Sequence, residues 1–235
     1  MIRARTDGDV RVVTIDRPAA RNALRPADLT SLRDAFEAAE TDGGPPVTYL
    51  RGAGEAFCAG ADLDAVAALD DPAAFARRGQ RVAAAMEDSP SVVVCGVDGA
   101  ARGGGVELAL AADVRVATPR ATFAEPGVSL GLFGAWGGTV RLPRVMGEGE
   151  ALDFALSGRV LDAEAARRTG LVSRVADDPR SVADEIAAGE SDALAAIKRR
   201  LRDRSDDETR EAAEAAAFAD LHDAHADEIA RRRER

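Results

Sequence analysis

Lysine is almost missing from this 235-residue chain: Lys198 is the only one, and the other 30 of its 31 basic residues are arginine. With 41 acidic residues the formal net charge is −10. An acidic surface repels phosphate backbones and anionic lipid, so nucleic acid and membrane surfaces are excluded as expected partners. An Asp-rich, Lys-poor surface fits a protein kept soluble in concentrated salt or a GC-rich coding sequence; we take the first as the expectation. Cysteine is scarce too. Cys58 and Cys95 are too few and too scattered for a disulfide framework or a C-x-x-C metal site, and both lie in apolar stretches. They read as small buried residues in a reducing compartment. Aromatics make up only 4% of the chain, so the core must be built from Ala, Val and Leu. No apolar run approaches the roughly 20 residues that span a bilayer. The start, MIRARTDGDVRVVTID, has no signal-peptide apolar segment and enters a strand-like pattern at once. The expectation is a soluble, cytoplasmic protein.

What is present is an alternation of strand-like and helix-like segments. VRVVTID (10–16) alternates like a strand and stops at Arg17-Pro18. Leu29, Leu32, Phe36 and Ala39 recur at helical spacing after Pro26, until Gly43-Gly44-Pro45-Pro46. VTYL (47–50) reads as a strand, 73–87 as a helix and SVVVCGV (91–97) as a buried strand. VELALAA then reads as a short helix and VRVAT (114–118) as a further strand. This order argues for an α/β layered domain. Beyond about residue 145 the pattern is nearly all helical, over 148–157, 162–169, 181–188, 191–203 and 207–233, with LVSRV (171–175) as the one later strand candidate. No Pro/Gly-rich linker or low-complexity tract divides the chain. We therefore expect a core over 1–175 and a helical region over 176–235 that packs on it or on a neighbouring subunit.

Several motifs fail for want of context. Gly127-Val128-Ser129-Leu130-Gly131 matches the G-x-S-x-G elbow of serine hydrolases, but Pro126 interrupts the approach and a glycine-rich stretch follows. The only histidines, His222 and His225, stand near the chain end; their i, i+3 spacing lacks a third metal ligand, so no metal site is expected. Gly52-Ala53-Gly54 has no third glycine at dinucleotide-binding spacing. Two glycine loops carry more. AFCAGADL (56–63) follows a strand, and ARGGGVELALAAD (101–113) links the buried strand to a helix beginning near Gly104. A glycine loop opening a helix presents unpaired N–H groups and the positive end of the helix dipole. Two such loops can aim two donors at one oxygen, an oxyanion hole made of backbone. Glu107, in the first turn of the second helix, is either an acid/base group beside those donors or a cap for its own helix.

At this point the chain resembles the enoyl-CoA hydratase/isomerase (crotonase) superfamily. The likeness rests on ordered segments: IDRPAARNAL (15–24), AFCAGADL (56–63), RGGGVELALAADVRVAT (102–118), ATFAEPGVSLGL (121–132), GGTVRLPRVMG (137–147) and ALSGRVLDAEAARRTGLVSRV (155–175). The resemblance implies a spiral of ββα units with a helical C-terminal trimerisation region, and assembly as homotrimers or as hexamers made of two trimers. It implies an acyl-CoA substrate and no separate cofactor, coenzyme A being part of the substrate. It assigns the thioester oxygen to the N–H groups of Ala61 and Gly104, and the CoA to segments containing Arg21, Ala23, Leu24, Ala59, Asp62 and Leu63.

Family hydratases use two glutamates. Glu107 matches the first. The second follows a proline in a pattern like F-G-x-P-E, where this chain has Phe123-Ala124-Glu125-Pro126-Gly127. Gly127 thus stands where a glutamate is expected, and Glu125, two residues earlier, is either the candidate for a catalytic role or an ordinary salt-bridge or surface residue. The loop departs as well, reading Gly134-Ala135-Trp136 where relatives commonly have proline-glycine-alanine, and no counterpart of the isomerase aspartate lies near Ala135. At the end, HADEIARRRER offers arginines as CoA-phosphate contacts or as a solvated helix end. The functional expectation is hydration of a 2-enoyl-CoA through a stabilised enolate. The alternatives are a double-bond isomerase with a single acid/base group, and a member that binds acyl-CoA without turning it over.

Overall fold

The computed structural model describes residues 1–38 and 44–233. The expected continuation of the first helix over Ala39 and its stop at Gly43 lie outside the described residues, as do the last two residues of HADEIARRRER. Two compact units result, Met1–Ala188 and Gly189–Arg235.

In the first unit, β1 (Ile2–Asp7) and β2 (Val10–Ile15) form an antiparallel hairpin. α1 (Pro26–Glu37) begins with proline at its first turn, and the Asp28 carboxylate returns to the Arg25 backbone N–H. From here each pass of the chain lays down two strands and then helix. β3 (Val47–Gly52) and β4 (Ala56–Cys58) lead to α2 (Leu63–Ala67) and α3 (Pro72–Asp88). β5 (Val92–Val97) and β6 (Ala100–Arg102) lead to α4 (Gly104–Ala111). β7 (Val114–Ala117) and β8 (Thr122–Ala124) lead to α5 (Gly138–Met146) and α6 (Glu148–Ser157). β9 (Leu161–Asp162), α7 (Ala163–Arg168), β10 (Arg174–Val175) and α8 (Pro179–Ala187) complete the unit.

The first strand of each pair joins one sheet and the second joins another. The orders are β1-β2-β3-β5-β7-β10 and β4-β6-β8-β9, with β2-β3-β5-β7-β10 and β4-β6-β8 parallel. This is the α/β spiral of ββα units that the resemblance implies. β5 is buried at every position, which is why its sequence runs apolar without alternation. Phe36, Phe57, Phe123 and Phe154 are fully buried and anchor a core otherwise made mainly of Val, Leu and Ala.

The strands of the second sheet are two or three residues long, too short to show a period, and the sequence reading passed over them. It also passed over α5, which starts at Gly138, directly after a run of glycines. Of LVSRV only Arg174-Val175 pairs.

The second unit consists of α9 (Ser191–Arg202) and α10 (Asp207–Arg233). His225 near the end of α10 meets the Asp192 carboxylate at the start of α9, Nε2 to Oδ2 at 2.9 Å, so the two helices run antiparallel. No helix among the described residues is long and apolar enough to cross a membrane.

Candidate active site

The segment Arg21–Leu24 is held against the first glycine loop by Asn22. Arg21 and Asn22 both adopt positive φ, a conformation asparagine tolerates better than most residues. The Asn22 side chain is fully buried: its Nδ2 donates to the carbonyls of Ala53, Ala56 and Phe57, and its Oδ1 accepts from the Arg17 N–H. Around this clamp Ala59 N donates to Arg21 O at 2.9 Å, Leu24 N to Gly60 O at 2.8 Å and Asp62 N to Leu24 O at 3.0 Å. The Leu24–Ala61 bridge therefore uses the groups on either side of Ala61 and leaves the Ala61 N–H directed away from Leu24. Asp62 caps α2 through Ala65 N and pairs with Arg17 at 2.5 Å, so its carboxylate is engaged inside the protein. Leu24 is buried, whereas Arg21 and Leu63 are exposed.

Gly60 folds back on the second loop. A Cβ on Gly60, whose φ is +85°, would stand 2.6 Å from Arg102 O and 3.0 Å from Gly104 N. Only glycine lets the two loops approach this closely. Gly104 opens α4, so its N–H belongs to the first turn, which has no partner inside the helix. Ala61 and Gly104 line one cavity of about 230 Å³, together with Glu125, Gly127, Phe75 and Trp136.

Glu107, 1% exposed, lies beneath the 134–138 loop. Its Oε1 accepts from Trp136 N at 2.8 Å and Gly138 N at 2.6 Å. A Cβ on Gly134 would stand 2.7 Å from the carboxyl carbon, so the loop backbone rests directly on the acid. Burial drives its pKa upward and the two N–H donors pull back, leaving it at about 7. The loop is fixed from several sides: Gln80 Nε2 donates to Ala135 O at 2.9 Å, and Arg141 donates through Nη1 to Trp136 O and pairs through Nη2 with Glu87.

Glu125 is 6% exposed, and its Oε1 has no hydrogen-bond partner among the described residues. Burial, followed by the charge of Glu107, pushes its pKa up to about 8. Among the described residues it is the one carboxylate that lines both the 230 Å³ cavity and a neighbouring groove of about 790 Å³, which is otherwise walled by residues such as Val128, Phe133, Val140 and Leu152. Gly127 is packed: a Cβ there would stand 3.0 Å from Leu132 O and 3.2 Å from Phe133 Cα, and Leu132 N donates to Gly127 O. The chain has filled with loop backbone the place where a glutamate was expected.

The residues set aside earlier are bound up locally. Ser129 sits in a 3-10 turn, Pro126–Leu130, and its Oγ donates to Pro126 O at 2.8 Å, which is no nucleophile elbow. Cys58 and Cys95 are buried free thiols, and burial pushes Cys58 up to about 12. Sequence reasoning missed the Asn22 clamp and the hold of Trp136 and Gly138 on Glu107. The signal for the second was present in the chain's one tryptophan, set among glycines.

Comparison with known proteins agrees with this fold. The profile of the enoyl-CoA hydratase/isomerase family matches residues 5–232. A probable enoyl-CoA hydratase of Mycobacterium tuberculosis is 41% identical over 190 residues, covering 78% of this chain and 72% of its own length. The crotonyl-CoA hydratase of Syntrophomonas wolfei is 38% identical over 167 residues, 70% of this chain and 64% of the relative. Among solved structures, an enoyl-CoA hydratase from Thermoplasma volcanium superposes with a TM-score of 0.89 at 32% identity, over 96% of both chains. One from Bacillus anthracis superposes with 0.88 at 29%, over 93% of this chain and 89% of that one. Fold and site thus define a crotonase-fold protein built around two glycine loops and a buried carboxylate pair. The chain belongs to the enoyl-CoA hydratase/isomerase family.

Proposed function

We propose that the protein hydrates a 2-enoyl-CoA, with Glu125 standing in for the glutamate absent at position 127. The observation that carries this is the buried Glu125, whose Oε1 has no partner among the described residues, on the wall of the cavity that also contains Ala61 and Gly104. In this reading the thioester oxygen takes hydrogen bonds from the Ala61 and Gly104 N–H groups. One carboxylate of the pair removes a proton as the water oxygen bonds to C3. The π electrons move onto the carbonyl oxygen as an enolate, and the protonated partner delivers its proton to C2. Two carboxyls whose buried positions oppose double ionisation are suited to holding one proton between them. Substrate CoA runs along Arg21, Ala23, Leu24, Ala59, Asp62 and Leu63, with no further cofactor. We also propose assembly as a homotrimer or a pair of trimers, supported by the exposed apolar side chains Phe133, Leu152 and Leu156; light scattering measures it.

A second reading has its own support. Glu107 lies behind the loop and, among the described carboxylates, Glu125 alone lines the cavity, as suits an isomerase in which one carboxyl removes a proton from C2 of a 3-enoyl-CoA and returns it at C4. Hydration of crotonyl-CoA and double-bond shift of a 3-enoyl-CoA, assayed on one preparation, separate the two. Under the hydratase reading Glu107→Gln and Glu125→Gln each lower hydration by about 10²–10⁴-fold. Isomerisation without hydration establishes the second reading. Acyl-CoA binding with neither activity establishes a binding role alone.

A further inference from the structure

The indole of Trp136 occupies a slot made by two glycines on different helices. A Cβ on Gly79, in the middle of α3, would stand 2.1 Å from Cγ and Cδ1 of the ring. A Cβ on Gly104, at the start of α4, would stand 2.2 Å from Cζ3. The five-membered ring therefore lies on α3 and the six-membered ring on Gly104, which itself lines the cavity. Phe75 meets it edge-on with ring centroids 5.8 Å apart, and only 3% of the residue is exposed. Trp136 is nonetheless part of the wall of the 230 Å³ cavity, with Leu69, Phe75 and Ala76. A glycine in a helix interior costs stability relative to alanine, so the slot is kept at some expense for this side chain.

Its position fixes which part of a ligand it meets. The backbone N–H of Trp136 holds Glu107, and Trp136 shares the cavity wall with Glu125, so the residue stands beside the two carboxylates. The segment Arg21–Leu24 and Ala59, where CoA is expected, belongs to the other loop. We propose that Trp136 is a specificity-determining residue that closes the acyl end of the cavity and restricts the protein to short acyl chains. The inference rests on the acyl-CoA reading above. Trimming the indole opens space contiguous with the cavity, and added methylenes fill it. Discrimination of this kind in an apolar pocket is about tenfold or more.

The test uses saturated acyl-CoAs, which bind without turnover, so it does not depend on which reaction the enzyme catalyses. Binding of butyryl-CoA and octanoyl-CoA is measured by calorimetry on wild type, Trp136→Phe and Trp136→Ala. Wild type is expected to prefer butyryl-CoA. The octanoyl-to-butyryl affinity ratio is expected to rise roughly tenfold or more in Trp136→Ala and by less in Trp136→Phe. If the alanine variant does not fold, the phenylalanine variant carries the test alone. An unchanged ratio in a folded variant overturns the role of Trp136 and leaves the acyl-CoA reading standing, as does wild type that binds octanoyl-CoA as tightly as butyryl-CoA. Wild type that binds neither overturns both.

Discussion

A carboxylic acid moved from water into an apolar wall holds its proton to higher pH, and Glu125 holds its own to about 8. Between 4.5, the ordinary value, and about 8, the native state keeps a proton that the unfolded chain has released. The stability this gives is complete below the lower value and is lost as pH rises through the upper one. Wild type should therefore lose stability relative to Glu125→Gln between about pH 5 and 8.5, by up to a few kcal/mol; paired thermal melts read the difference. The same pair governs rate. With Glu107 near 7 and Glu125 near 8, kcat/KM is expected to be bell-shaped around neutral to slightly alkaline pH, with both limbs belonging to the coupled pair. Glu125→Gln should abolish that shape. Installing glutamate at Gly127 must displace the Leu132–Phe133 backbone, so Gly127→Glu is not expected to restore activity to Glu125→Gln; a recovered rate would show that the loop yields.

At the scale of elements, one ring is seated between Gly79 of α3 and Gly104 of α4. Gly→Ala inside a helix ordinarily stabilises by about 1 kcal/mol through propensity. At Gly79 the new methyl group would overlap the Trp136 indole, and overpacking of this kind costs about 1–3 kcal/mol. The second effect wins. Gly79→Ala is expected to lower the melting temperature and to shift the emission of the sole tryptophan to the red as the ring is pushed out. A stabilised variant with unchanged emission would mean the slot has room to relax. The glycines at 134 and 138 serve the neighbouring acid in the same way, since a side chain at either would meet the Glu107 carboxyl group within 3 Å.

At the scale of the whole molecule, the −10 net charge outweighs the local ion pairs. Pairs such as Arg120–Asp98, Arg174–Glu185 and Arg232–Glu228 are largely exposed and individually contribute little, and salt screens them further. Repulsion among the excess carboxylates is screened as well. The expected net effect is a melting temperature that rises from low to molar potassium chloride. A falling curve would assign the pairs more weight than their exposure suggests and would remove the support for a salt-adapted surface.

The sequence alone determined the features that repeat or that depend on a special backbone. The long helices and the apolar strand β5 were legible in their periods, and the two glycine loops in their composition. Glu107 was legible from its place in the first turn of a helix opened by a glycine loop, and again because the order of motifs around it resembles a family. The two- and three-residue strands of the second sheet were not, because pairing with distant neighbours makes them strands. Gly127 read in sequence as an absence, and only the folded chain shows its place filled by Leu132 and Phe133. Glu125 acquires its character from burial and from a charge 18 positions away in the chain, and Trp136 acquires its slot from Gly79 and Gly104. Those are properties of packing, which brings residues remote in sequence within contact distance, and a linear pattern does not record them.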